Sequence, residues 1–297
     1  MNNKTENDSP YILLVIGVIA VSTAAILIKL SLAVASPIAI AFYRMAFSAV
    51  IAILMLHFKP KQKEETPDKS TIWLLILSGI LLAAHFALWT WSLDLVSVNS
   101  SVIFATTSPL WVGLLSPLIL KERVPKRFYL GILFAFGGGL LIALLGGGNA
   151  GISNWQGLLM SLLSAWMIAG YLLIGRKIST KMSTEFYVSV VYSVAALVLG
   201  IVLLLLGGDF QAYPLKIFIY LFMLALVPQT IGHTAMNKSL TRLPARTVSL
   251  ALLFEPVGSG VLAMLFLKEL PSAIEIAGGF LILIGLVIAL SVSANEA

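Results

Sequence analysis

Hydrophobic residues fall in ten long blocks, at about 11–33, 37–58, 71–93, 97–120, 128–146, 155–175, 184–206, 215–237, 246–267 and 272–292, with short polar or helix-breaking stretches between them. At a rise of about 1.5 Å per residue, a helix of twenty or so residues crosses a hydrocarbon layer of roughly 30 Å. Barrel strands would instead alternate apolar and polar positions over about ten residues. The pattern predicts an all-α membrane protein with ten transmembrane helices. The first break rests on Ala35-Ser36-Pro37, where proline disfavours helix in the residue before it; reading through that turn gives nine helices as the alternative. The first block follows a polar tail, 1–10, and exceeds a signal-peptide core, so it is expected to be retained. Only that tail and the loop from Lys59 to Ser70 read as soluble segments.

The blocks repeat. Sliding the chain by 147 residues superposes Pro109 on Pro256, Gly113 on Gly260, Leu120-Lys121-Glu122 on Leu267-Lys268-Glu269, Gly131 on Gly278 and Gly138 on Gly285. This predicts two five-helix units, 11–146 and 155–292. An odd number of helices per unit makes the second copy enter the membrane from the opposite side, the inverted-repeat arrangement of secondary transporters.

Composition agrees. With 59% hydrophobic and 11% charged residues and a mean hydropathy of +1.01, the apolar side chains exceed what a soluble core can hide. Cysteine is absent, which excludes disulfides and thiolate metal sites. With the amino terminus inside, every basic residue except Lys29, Arg44, Lys216 and Lys268 falls on the cytoplasmic side. That is a strong positive-inside bias. It accounts for the net charge of +6 as a topology signal facing anionic lipid, and nucleic-acid binding is discarded. Both termini are expected in the cytoplasm.

Family motifs sharpen this. The run from Thr107 to Val124, TSPLWVGLLSPLILKERV, its weaker echo from Phe254 to Leu270, Phe42-Tyr43-Arg44 and the Ser-Leu turns at Ser92 and Ser239 resemble the EamA-type carriers of the drug/metabolite transporter superfamily. The resemblance covers essentially the whole chain. It implies a ten-helix inner-membrane carrier, often an exporter of amino acids or other small metabolites, with helices five and ten as a possible homodimer face.

Helical rise places Ser22, Thr23, Thr106, Thr107, Pro109, Trp166, Gln229, Glu255 and Pro256 near mid-membrane, where they are candidates to line a central cavity. Serine and threonine in such helices also bond their own backbone, and the prolines also serve as kinks. Repeat-related prolines at that depth nevertheless point to broken helices around a site. Glu255 lies roughly 13 Å into the apolar layer, where a carboxylate is costly unless it is neutral, paired or hydrated; it is read as binding a cationic group or exchanging protons. Arg44, roughly 10 Å deep, either recognises a carboxylate as a two-pronged donor or snorkels outward. Gln229, His233 and Asn237 form a polar stripe after Pro228, and His85 and Trp89 have the same spacing in the repeat mate. His233 is the second candidate for proton coupling. Trp89 and Trp91 read as an aromatic belt, and Lys29 as a snorkelling lysine. Serine precedes Pro109 where glutamate precedes Pro256, so the repeats differ at that depth.

Intramembrane protease and hydrolase motifs are missing, as is a Walker A loop. The reading is therefore a gradient-driven carrier, not an enzyme, without metal or cofactor, moving a small-molecule substrate and surrounded by membrane lipid. The expected substrate is an amino acid or similar metabolite, with hydrophobic cations as the alternative. Because the chain has no cysteine, its topology is open to a direct test. In intact cells an impermeant maleimide should label Lys216→Cys and should reach Lys63→Cys only after permeabilisation; the reverse pattern would invert the assignment.

Overall fold

The computed structural model describes residues 9–58, 67–121, 126–145, 154–179, 181–208, 210 and 213–290. Most of the polar tail, residues 59–66 of the lysine-rich loop, and Glu122 to Pro125 of the charged turn lie outside the described residues. Among the described residues the only regular structure is helical. Eight helical stretches are long and apolar enough to cross a membrane: Pro10–Leu32, Pro37–Phe58, Lys69–Leu95, Val98–Ile119, Trp155–Ile178, Thr184–Leu205, Leu215–Leu240 and Ala245–Leu267. Two shorter apolar helices, Tyr129–Ile142 and Ala273–Gly285, occupy the remaining blocks.

Several of the long stretches are interrupted, and the interruptions position the site. The first divides into α1 (Pro10–Val21) and α2 (Ala24–Leu32), and is followed by unbroken α3 (Pro37–Phe58) and α4 (Lys69–Leu95). The fourth divides into α5 (Val98–Ala105) and α6 (Ser108–Ile119). Then come α7 (Lys126–Leu145), α8 (Trp155–Ile178) and α9 (Thr184–Leu205). Next, α10 (Leu215–Leu224) passes through a π-helical segment, Ala225–His233, into α11 (Thr234–Leu240). Last, α12 (Ala245–Ala251) reaches α13 (Glu255–Leu267) through a 3₁₀ turn, Leu252–Phe254, and α14 (Ala273–Leu290) follows.

Local chemistry explains the starts and breaks. Asp68, Ser97 and Ser183 accept from the backbone N–H groups of Thr71, Ser100 and Phe186, capping α4, α5 and α9. Pro109 and Pro256 lie in the first turns of α6 and α13, where proline is tolerated. Because each lacks an N–H, the carbonyls of Ala105 and Leu252, four residues earlier, lose their α-helical partner. These two carbonyls are themselves 147 residues apart, so the break recurs in register with the sequence repeat. Pro228 would free Leu224 in the same way, and the wider π turn accommodates it. There Thr230 Oγ1 and Ser48 Oγ both donate to the carbonyl of Ala225, at 2.8 and 3.2 Å.

Packing pairs α4 with α8, α3 with α9, α1 with the π segment and α11, α5 with α13, and α7 with α14. The last pair meets through the repeated glycines. A methyl at Gly138 would strike the carbonyl of Gly278 and come within 2.9 Å of Ile282. One at Gly285 would strike the carbonyl of Gly131 and come within 2.6 Å of the Ala135 nitrogen. These glycines thus serve a contact within one chain. Lys29, expected to snorkel, lies 4.0 Å from Glu269 Oε1, because the α13–α14 connection brings that carboxylate back over the end of α2. Gly138→Ala and Gly285→Ala should each force α7 and α14 apart at backbone level and lower stability by about 1–3 kcal/mol, read as an earlier unfolding midpoint in detergent. Gly137→Ala, which meets nothing within 4 Å, is the control.

Candidate functional site

The breaks converge on a small internal cavity, about 30 Å³, lined by Arg44, His85, Trp89, Thr106, Ser108, His233 and Glu255 together with Ala105 and Leu252. Its position follows from the prolines: the two residues whose carbonyls lose their α-helical donor both contribute to its wall. A space of this size holds about one water. The described form is therefore closed around its centre.

Arg44 dominates the site. It projects from the middle of α3, is 1% exposed and is the largest fully buried side chain among the described residues. Its Nε donates to Gln229 Oε1 at 2.9 Å, and its Cζ stands 3.8 Å from the centroid of the Phe86 ring. Nη1 and Nη2 have no hydrogen-bond partner. Two neighbouring donors in the same wall are likewise unpartnered, Trp89 Nε1 and Ser108 Oγ. His85 Nδ1 lies 2.9 Å from the carbonyl of Ser164. A carbonyl only accepts, so that contact fixes a proton on Nδ1. The His85 ring stacks on Trp89 at 6.0 Å, and His233 meets the edge of Phe86 at 5.5 Å. Glu255, 8% exposed, is the one acid in the wall and opens α13, where the helix dipole favours negative charge.

The sequence-level candidates divide. Arg44, His85, Thr106, His233 and Glu255 come together at the cavity, and Gln229 stands behind Arg44. Ser22 and Thr23 do not reach the wall; their hydroxyls donate to the carbonyls of Val18 and Ala20 in their own helix. Thr107 does the same to Phe104. Asn237 lies a turn too far along and donates from Nδ2 to the Tyr171 hydroxyl. Neither Pro109 nor Pro256 lines the cavity; each sits in the first turn of the helix that starts beside it, and Pro256 faces a separate apolar groove between α5, α13 and α14. Trp166 is a correction: it is 45% exposed and packs on Trp111, with ring centroids 4.6 Å apart. It sits on a helix face turned away from the centre. Trp89 is the opposite correction, since it is 4% exposed and belongs to the wall instead of an aromatic belt. Phe86 was missed, and nothing in an apolar residue beside His85 would have singled it out.

The EamA-like transporter family matches residues 8–144 and again 155–291. The pseudopaline exporter CntI of Pseudomonas aeruginosa is 26% identical over 240 residues, covering 80% of this chain and 82% of that protein. An uncharacterized transporter of Archaeoglobus fulgidus is 27% identical over 276 residues, covering 88% and 91% respectively. The uncharacterized transporter YyaM of Bacillus subtilis is 23% identical over 262 residues, covering 86% and 84%. A protein of known crystal structure aligns over 95% of this chain and 96% of its own, with a TM-score of 0.72 at 18% identity, a likeness of fold.

The support beneath Arg44 is testable by itself. Gln229→Leu keeps the volume but leaves the guanidinium Nε without an acceptor in an apolar setting. It should cost about 2 kcal/mol, read as a lowered unfolding midpoint of the purified protein.

Proposed function

The chain belongs to the EamA-like transporter family, and on that premise we propose that this multi-pass membrane transporter is a secondary active carrier that exports amino acids or similar small metabolites across the inner membrane by alternating access. In this reading ten helices form two inverted five-helix repeats, with both termini cytoplasmic. The observation that carries it is the convergence of a cation, an acid and two histidines on a closed cavity where repeat-related helices are broken. Charged groups at such depth are expensive and mark transport sites. The packing supports the symmetry, since α4 on α8 is mirrored by the π segment and α11 on α1. The double match of the family supports it as well.

Contacts at the two ends of the bundle suit a form closed on both sides. At one end Glu269 accepts from the Val98 N–H at 2.9 Å, and Glu275 accepts from Ser97 and Ser100 at 2.8 and 2.6 Å. At the other, Ser239 donates to the carbonyl of Pro10 at 3.1 Å and Arg176 to that of Leu240 at 2.7 Å. Opening either end breaks one set and leaves the other intact, which is what alternating access requires. One relative is named an exporter, which supports the outward direction. A homodimer through the lipid-facing sides of α7 and α14 belongs to the same reading.

Amino acids fit the cavity's paired charges better than hydrophobic cations do, because Arg44 shares the cavity with Glu255 and would repel a bare cation. Glu255 is then the proton-exchanging group, with Arg44, His85 and His233 the titratable and charged residues facing it across the cavity. Counterflow in proteoliposomes, with amino acids against cationic dyes at two pH values, tests the carrier directly. Glu255→Gln should retain solute exchange but lose accumulation driven by a pH gradient. Unchanged gradient-driven transport would remove Glu255 from coupling, and loss of dye transport alone would favour the cation reading.

A further inference from the structure

We propose that the Nη1–Nη2 edge of Arg44, with Trp89 Nε1 and Ser108 Oγ, is a subsite for a planar carboxylate of the transported molecule. This rests on the carrier reading for its role in transport, though not for its existence as an anion site.

Four donor atoms in one wall are unpartnered, and all belong to buried residues. Three separate elements supply them: α3 gives Arg44, α4 gives Trp89 and the first turn of α6 gives Ser108. A buried donor without a partner is costly, so a cluster of four in a single cavity points to a ligand that accepts. Glu255, on the same cavity, stays outside hydrogen-bonding reach of both Nη atoms.

Geometry selects the shape of the acceptor. A guanidinium can grip a carboxylate along its Nε–Nη edge or its Nη–Nη edge. Gln229 already occupies Nε, and Phe86 covers one face of the plane at 3.8 Å. The Nη1–Nη2 edge remains. Two parallel donors held in one plane match the two oxygens of a carboxylate better than a spherical anion, which cannot accept from both along their own directions. The start of α6 adds the positive end of a twelve-residue helix to the same corner. A phosphate dianion is disfavoured, because Glu255 sits on the same small cavity and would repel a second negative charge.

Wild-type protein provides the first test, with acetate reaching this wall when the closed cavity, which has room for about one water, opens. Acetate and acetamide are nearly isosteric and differ in charge, so binding is compared for these two, for chloride and for inorganic phosphate at constant ionic strength. The readouts are tryptophan fluorescence, to which Trp89 contributes from the wall, and the unfolding midpoint. Acetate should bind about ten-fold more tightly than acetamide or chloride. Arg44→Lys, which keeps the charge and loses the fork, should abolish that preference, and Gln229→Ala should weaken it several-fold by releasing the plane. If Arg44→Lys does not fold, the isostere comparison and Gln229→Ala still decide. Equal affinity for acetate and acetamide overturns the subsite, and so does chloride binding as tightly as acetate. Solutes that move in counterflow equally well as acids and as their amides overturn it while leaving the carrier reading intact. Selective acetate binding by a protein that moves no solute would do the reverse.

Discussion

Arg44 has to be tolerated before anything else in this bundle can work. A cationic side chain near the middle of an apolar layer costs about 3 kcal/mol on insertion-based scales. The hydrogen bond to Gln229 returns about 2 kcal/mol. The Phe86 face at 3.8 Å returns up to about 2 kcal/mol in a dry setting. The terms come out near balance with only one of the guanidinium's nitrogens hydrogen-bonded. A full ion pair would have been the simpler solution for stability. Its absence leaves the outward edge of the fork for other use, and the surrounding elements follow from holding it in place.

Gln229 can reach Arg44 because of the way its own stretch is wound. Pro228 cannot donate, and the π segment absorbs the lost ladder contact by widening the turn. The widened turn is stitched to α3 through Ser48 and to itself through Thr230. The same stretch presents His233 to Phe86 and lets the Tyr192 hydroxyl approach the Gln229 carbonyl at 3.5 Å. Winding, stacking and hydrogen bonding therefore converge on one orientation of the guanidinium, with a proline in the sequence as the local cause.

The helices were legible from hydrophobic runs because a membrane span needs little else. The observed stretches start and stop within a few residues of the expected ones, from Pro37–Phe58, which matches, to Lys69–Leu95, which overshoots at both ends. Position along each helix was also legible. Counting residues from the helix ends singles out Arg44 and Glu255, which meet at the cavity, and the paired prolines, which open α6 and α13. Rotation about the helix axis was not. In water a helix shows its inner face by polarity, but a lipid-facing surface is as apolar as the core, so the sequence carries little rotational signal. That is why the expectations for Trp166 and Trp89 exchange: the first lies on an exposed helix face, and the second, near a helix end, faces the cavity. Short hydroxyl side chains were over-read for a related reason. Ser22, Thr23 and Thr107 satisfy themselves on their own carbonyls, which any serine or threonine can do in a helix.

The departure from symmetry is where the two halves acquire different jobs. Proline breaks both repeats at equivalent points, and each break turns a fresh helix start toward the cavity. At α13 the first residue is Glu255, an acid that meets the positive helix end within its own chain. At α6 the equivalent residue is Ser108, which brings a hydroxyl and no charge, so that helix end is left without a negative partner beside Arg44. A symmetric pair of acids would have neutralised the arginine twice over, and a symmetric pair of serines would have left it with no counter-charge in the wall. One of each gives the cavity a cationic corner and an anionic corner. That polarity suits a molecule carrying both charges. The cation has no counterpart either, since Val191 stands 147 residues after Arg44, so both corners of the cavity come from positions at which the two halves differ.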